Sequence, residues 1–381
     1  MTVRPFTVAV DGRVVHDEVR RGIAKTTIAV YRALAVARPM WQFRVFHRSP
    51  ATDDPFVGFP NVQSIRINIR GDRFDLWSKL RLPLATGASR ADVFHAPAGL
   101  APRFPLAPLV TTIHDLIPLD TRPNDPDVQV WAGNVRRAAR RARRILTVSQ
   151  HARSRIVDLL GVDPAKISVV QWGTNFISEQ SDSIDGNPIR ERYGIPPAVD
   201  YVLHFGMADP RKNTARVLDA WAALPAAVRE AALLVVVGLQ GAARDQFTEA
   251  ARRLGIVDRV RLHGYAPEED VRGLLAGATV LCYPTLYEGF GLPVLDGFAA
   301  GVPVLTGNLT SLPEVAGDAA LVVDPTDTAA ITAGLARLLT DADLRAVLVE
   351  RGRRRVRAFT WAAAADEIAA VFEAAAGRRT S

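Results

Sequence analysis

The chain is short of several things, and each shortage excludes something. It has one cysteine, Cys282, which rules out an internal disulfide and a cysteine-cluster metal site. Its place in the apolar string TVLCYPT reads as a buried strand residue. The seven histidines stand at 16, 47, 95, 114, 151, 204 and 263, with no HExxH-type pair among them, so no metal is expected. The longest apolar runs, such as ALLVVVGL at 232–239, fall well short of the ~18–20 residues of a membrane span. The opening MTVRPFTVAVDG has no long apolar region ahead of a small-residue cleavage site. It does not read as a signal peptide, and the expected address is the cytoplasm. No repeat or low-complexity segment stands out.

What is present is apolar material in quantity. At 381 residues and 48% hydrophobic, the chain exceeds the roughly 250–300 residues at which a single core stops growing, so two domains are expected. The 47 basic residues outnumber 40 acidic ones, which points to an anionic partner. Nucleic acid is excluded as the main one, because no binding module and no aromatic interleaving accompanies the charge. The densest run is RRAARRARR, 136–144. Taken as helix it gives a stripe of Arg136, Arg140 and Arg144, suited to a solvated face or to peripheral contact with an anionic bilayer, the inner face of the membrane.

Short apolar runs alternate with longer amphipathic stretches. Strands are expected at 6–12, 43–49, 92–97, 109–115 and 145–150. A second set follows at 201–207, 233–239, 260–265, 279–285, 302–307 and 320–325. Helical stretches such as IAKTTIAVYRALAV (23–36) and NTARVLDAWAALP (213–225) lie between them. Apolar strands separated by helices imply parallel sheets covered on both faces, a doubly wound α/β architecture. The expected organisation is an N-terminal Rossmann-like domain over 1–176, a polar linker with a short lead-in helix over 177–199, and a second Rossmann-like domain over 200–358. A C-terminal helix within 359–381, capped by Thr360, then packs back on the first domain. Two such sheets facing one cleft would place ligands outside the strand carboxyl ends.

One stretch carries the chemistry. In LYEGFGLPVLDGFAAGVPVL (286–305) the loop YEGFG follows strand TVLCYPT. Pro293 suits the first turn of a helix, since its missing N–H has no partner there. Gly301 and Pro303 end that helix. Free amides and the positive end of the helix dipole suit a diphosphate. Gly289 and Gly291 let a ligand approach the backbone, and the carboxylates of Glu288 and Asp296 suit sugar and ribose hydroxyls.

The string EGFGLPVLDGFAAGVPVLTG resembles the signature of family-4 glycosyltransferases, retaining enzymes of the GT-B fold. That family usually has glutamate where Asp296 stands. The resemblance implies that Glu288 contacts the transferred sugar, that Asp296 holds the ribose, and that Gly289, Phe290, Gly291 and Leu292 line the donor. HFGMADPRKNTARVLDAW (204–221) is similar to the segment in which an Arg and a Lys bind the donor diphosphate. Met207 occupies the usual place of the arginine, and Arg211 beside Lys212 is the substitute, with Gly206 and Asn213 flanking. By the same resemblance Gly22 faces the donor phosphates, Tyr265 lines the base and His114 of TIHDLIPLD points into the cleft. Ser149 and Asn175 would lie near it.

The implied activity is transfer of a sugar from a nucleoside diphosphate sugar to a small-molecule, lipid-linked or glycan acceptor, mannosyl-like with GDP-mannose, needing neither cofactor nor metal. The resemblance also makes the N-terminal domain, 1–176, the acceptor-binding one, with the acceptor expected near 71–84 and 118–131. A nucleotide-sugar epimerase of the same fold and a non-catalytic nucleotide-sugar binder are the alternatives. A phosphorylase would need a cofactor-lysine motif that the chain lacks.

Overall fold

The computed structural model describes residues 4–16, 22–48, 53–68, 75–174, 176 and 186–377. The chain forms two compact units, one of residues 1–173 and 360–381, the other of residues 174–359.

The first unit is built on a seven-stranded parallel sheet. Its strands are β1 (Thr7–Asp11), β2 (Gln42–His47), β3 (Val62–Arg66), β4 (Val93–Ala96), β5 (Leu109–Thr112), β6 (Arg144–Thr147) and β7 (Ile167–Val169), in the spatial order β3-β2-β1-β4-β5-β6-β7. β1 and β4 lie in the middle and are buried along their whole length, so apolar residues predominate in them, and their buried Asp11 and His95 are hydrogen-bonded to Arg13 and Thr112. The two strands that the sequence pattern did not disclose, β3 and β7, are the sheet's edges. Their half-exposed residues VQSIR and ISV carry no such run. The helix Trp361–Ala376 packs against the helix Gly22–Ala37 and against β4, β5 and β6. It is capped by Thr360, whose hydroxyl accepts from the Ala363 amide at 3.1 Å.

The second unit has six parallel strands: β8 (Asp200–Phe205), β9 (Ala232–Val237), β10 (Val260–Leu262), β11 (Val280–Tyr283), β12 (Val304–Gly307) and β13 (Leu321–Val323). They lie in the order β10-β9-β8-β11-β12-β13. The chain order reverses between β8 and β11, which is where open α/β sheets bind ligands. The lead-in helix Gly186–Arg192 belongs to this unit and packs on the helix Glu268–Ala276. Beside it Asp270, almost fully buried, accepts from Arg192 at 2.5 Å and from the Tyr193 hydroxyl at 2.9 Å. Both units are thus Rossmann-like, as the GT-B fold requires.

The basic run departs from its expected form. The helix Pro126–Arg141 is started by Asp125, whose carboxylate accepts from the Asp127 amide at 2.9 Å. It stops because Ala142 turns extended and Arg144 opens β6. Arg136, Arg140 and Arg144 therefore do not share a helical face. Arg136 donates to the Leu159 carbonyl and Arg144 to that of Ala165, at 3.2 and 3.1 Å. Among the described residues no helix is long and apolar enough to cross a membrane.

Candidate functional site

The carboxyl ends of β8 and β11 in the second unit bring the key charges together. After β8 the chain enters a single turn, Pro210–Lys212, capped by Asp209, whose carboxylate accepts from the Arg211 amide at 3.0 Å. This turn presents Lys212 to the loop after β11. The ammonium of Lys212 donates to Oε1 of Glu288 at 2.7 Å and to the Tyr283 hydroxyl at 2.7 Å. The Tyr283 hydroxyl donates in turn to the same Oε1 at 2.7 Å. The side chains of Lys212 and Glu288 are only 15% and 13% exposed. Water therefore competes weakly for these bonds. Burial and the neighbouring Glu288 carboxylate hold the Tyr283 phenol well above its ordinary range, so it stays a donor. Oε2 of Glu288 has no protein partner among the described residues.

Arg211 lies alongside but faces elsewhere. Its Nε and Nη2 reach Asp209 at 2.9 and 2.8 Å, and Nη1 donates to the Tyr287 carbonyl at 3.2 Å. Burial pushes the Asp209 carboxyl upward, but hydrogen bonds from Arg211 and the charges of Arg211 and Lys212 outweigh it and hold the carboxyl low. Each cation at this site is therefore matched with an acid.

The Gly-Phe-Gly loop is clasped from below. Thr310 accepts from the Glu288 amide at 3.1 Å, and Ser311 donates to the carbonyls of Glu288 and Phe290 at 2.9 and 2.8 Å. Thr310 does so at φ 58°, a conformation that costs a β-branched residue strain. Gly291 has φ 115°, and a Cβ there would lie 2.9 Å from Leu312, so only glycine fits at the head of the helix Leu292–Ala299. Asp296, on that helix, accepts from the Thr174 hydroxyl at 2.7 Å.

Several residues grouped with the donor by sequence serve the protein instead. Asn213, buried at φ 61°, donates to the carbonyls of Pro284 and Pro325 at 2.9 and 2.7 Å, while its oxygen accepts from Arg216 at 2.6 Å. Its amide is used up tying the loops after β11 and β13 to the helix Thr214–Ala222. Gly206 is a packing glycine, because a Cβ there would meet Val236 at 2.6 Å and Thr214 at 3.1 Å. Phe290 is buried with its ring 6.1 Å from that of Phe359. This leaves only its backbone for a ligand. Tyr265 follows β10 and is 64% exposed. It lies three strands from β11, roughly 14 Å at sheet spacing.

In the first unit, His114 follows β5. Its Nε2 sits 2.9 Å from the Pro97 carbonyl, which can only accept. Nε2 must therefore carry the hydrogen, which leaves Nδ1 as an acceptor. Burial lowers the His114 pKa, favouring that neutral form. Gly22 heads its helix with open space where a Cβ would be. Ser149 is spent as a cap, accepting from the Ala152 amide at 3.0 Å. Asn175 lies outside the described residues, as do 71–74 of the expected acceptor loop and 177–185 of the expected linker.

Sequence reasoning missed Tyr283, Asp209, Thr310 and Ser311. Tyr283 ends an apolar strand string, and nothing in that string marks its hydroxyl as polar machinery.

Two family models match the chain: Glycosyltransferase Family 4 over residues 20–176 and Glycosyl transferases group 1 over residues 185–355. The chain is 30% identical over 359 residues to O-antigen chain mannosyltransferase B of Escherichia coli, covering 89% of this chain and 92% of that one. It is 32% identical over 287 residues to MMP alpha-(1->4)-mannosyltransferase of Mycolicibacterium hassiacum, covering 71% and 66%. Among solved structures, Anabaena Alr3699/HepE in complex with UDP-glucose has a similar fold, with a TM-score of 0.73 at 16% identity over 97% of this chain and 99% of that one.

Proposed function

The chain belongs to the family-4 glycosyltransferases of the GT-B fold, and from that premise we propose that its second unit holds a nucleoside diphosphate sugar at the carboxyl ends of β8 and β11. The observation that carries this reading is the bond of Lys212 to Glu288 and Tyr283, which leaves one carboxylate oxygen of Glu288 open. An ammonium has three hydrogens. Two are engaged here, and the third is available to a phosphate oxygen. Oε2 of Glu288 accepts from a sugar hydroxyl, and the amides at the start of the helix Leu292–Ala299 face the diphosphate. Asp296 takes the ribose and Tyr265 the base.

The reaction proposed is retaining transfer by front-face attack. The bond from the anomeric carbon to the diphosphate oxygen breaks with its electron pair going to the diphosphate. That oxygen takes the acceptor hydroxyl's proton, while the acceptor oxygen bonds the anomeric carbon on the same face. Negative charge grows on the diphosphate as it leaves, and Lys212, with Arg211 once it turns from Asp209, stabilises that charge in place of a divalent metal. Nδ1 of His114 accepts from a hydroxyl of donor or acceptor. The two mannosyltransferase relatives support mannose as the sugar, and GDP is its proposed carrier. The acceptor is a glycan or a lipid-linked saccharide.

Isothermal calorimetry against GDP-mannose, UDP-glucose and dTDP-glucose tests the site, and NMR of the product tests the stereochemistry. Binding of GDP-mannose and an anomeric configuration kept in the product are the expected results. No affinity for any sugar nucleotide, or an inverted product, would refute the reading. Conversion of the donor without acceptor would favour an epimerase.

A further inference from the structure

One feature of the first unit's surface is left unused by the transfer chemistry. In the first unit the helical stretch Trp77–Ala88 buries Trp77, Leu82 and Pro83 and turns Leu80 and Leu84 outward, each more than half exposed. Leu106 continues the same face, since it lies 3.0 Å from the position of a Cβ on Gly87, and it too is more than half exposed. Two residues earlier stands Phe104, 61% exposed. Its ring carries the guanidinium of Arg141 at 5.0 Å and that of Arg103 at 5.7 Å. Four large apolar side chains thus stand outward on this part of the unit, with two arginines stacked on Phe104. Arg81, also exposed, stands on the helix between the two leucines.

A soluble surface rarely leaves such a group of side chains bare, and one rimmed by charge marks an interaction site. The sign of the charge selects the partner. From Leu76 to Pro108 the only acid is Asp92, and Arg4 holds it at 2.6 Å. The whole chain carries +7. Leucine and phenylalanine standing out from a helix and a loop, with arginines at their margin, match a surface that is apolar within and anionic at its rim.

We propose that this face of the first unit, Leu80, Leu84, Leu106 and Phe104, seats in an anionic lipid bilayer while Arg103 and Arg141 engage the headgroup phosphates. This face replaces the arginine run 136–144 as the contact, and Arg141 is the one residue common to both. An acceptor presented at that surface would be one carried by a lipid.

Vesicle flotation tests this without donor or acceptor, so its outcome is independent of the transfer reaction. The full chain should float with vesicles of phosphatidylcholine and phosphatidylglycerol and remain below with phosphatidylcholine alone. Arg103→Glu with Arg141→Glu should weaken binding at least about twenty-five-fold, at roughly five-fold per cation. Leu80→Ser with Leu84→Ser should weaken it about ten-fold or more. All four residues are exposed, so melting temperatures should be unchanged and report intact folding. A wild-type chain that ignores phosphatidylglycerol, or variants that float equally well, would overturn the proposal. So would a concentration-dependent dimer that the leucine variant abolishes while no vesicle is bound, because a second copy would then cover the face.

Discussion

Replacing Lys212 with alanine removes one ammonium but three interactions, and the geometry assigns each a different consequence. Two are present without ligand, the bonds to Glu288 and to Tyr283, both at 2.7 Å. Their loss leaves the Glu288 carboxylate nearly buried with the Tyr283 hydroxyl as its remaining side-chain donor. Breaking a fully buried pair costs about 3–5 kcal/mol. With both side chains slightly wet, about 2–3 kcal/mol of stability is the expected loss. The third interaction, with the departing diphosphate, grows as the reaction proceeds, and only that part alters turnover. By analogy with a lost oxyanion donor, kcat should fall about 10²–10³-fold. Initial rates under saturating donor and acceptor measure the second effect, and urea unfolding measures the first. Tyr283→Phe is the control, because it keeps both charges and deletes a single hydroxyl. It loses two hydrogen bonds, one from Lys212 and one to Glu288, but neither is made to the diphosphate, so kcat should fall only about ten-fold. If Lys212→Ala lowers stability yet turns over near the wild-type rate, the ammonium merely neutralises Glu288 and the diphosphate is held elsewhere.

Asn213→Ala removes the side-chain donor to the buried Pro284 carbonyl and the nearer of two donors to that of Pro325, which Arg216 also reaches at 3.4 Å. It should cost about 2–3 kcal/mol in unfolding free energy, and an unchanged melting curve would contradict the clamp. Burial pushes His95 down to about 3, helped by the charge on His114, and pushes His204 down to about 4. Below the ordinary value of 6.5 the unfolded chain binds protons that these two folded imidazoles refuse. Stability is therefore fully present above pH 6.5 and falls as the pH drops toward 4, by up to about 1.4 kcal/mol per unit for each histidine. Urea midpoints at pH 7 and pH 5 should show that decline, and His204→Gln should flatten it.

The architecture was readable because the central strands are largely buried on both faces, so apolar residues predominate in them. β3 and β7 escaped notice because an edge strand is wetted on one side. In the site, Glu288, Lys212 and Gly291 were legible as a string, since a loop that bends sharply and bonds charge has few residue types to choose from. Tyr283 was not legible, because the same residue serves equally well as core. The roles of Asn213 and Gly206 depend on carbonyls and side chains distant in sequence: Pro325 for the first, Val236 for the second. Local spacing carries no trace of such partners. The stripe 136–144 was misread because helical periodicity was extended across Ala142, where the backbone becomes extended and the next strand begins.

The helix Trp361–Ala376 belongs to the unit that the chain begins with, although the other unit is synthesised in between. Ile368 and Phe372 are wholly buried there, and the ring of Phe372 lies 5.2 Å from that of His95. The first unit can therefore be completed only after the segment that forms the second has been made. Until that helix is made, the strands β4 to β6 lack the cover it gives them. A chain cut just after Phe359 would hold all of the second unit's residues but leave the first without this helix.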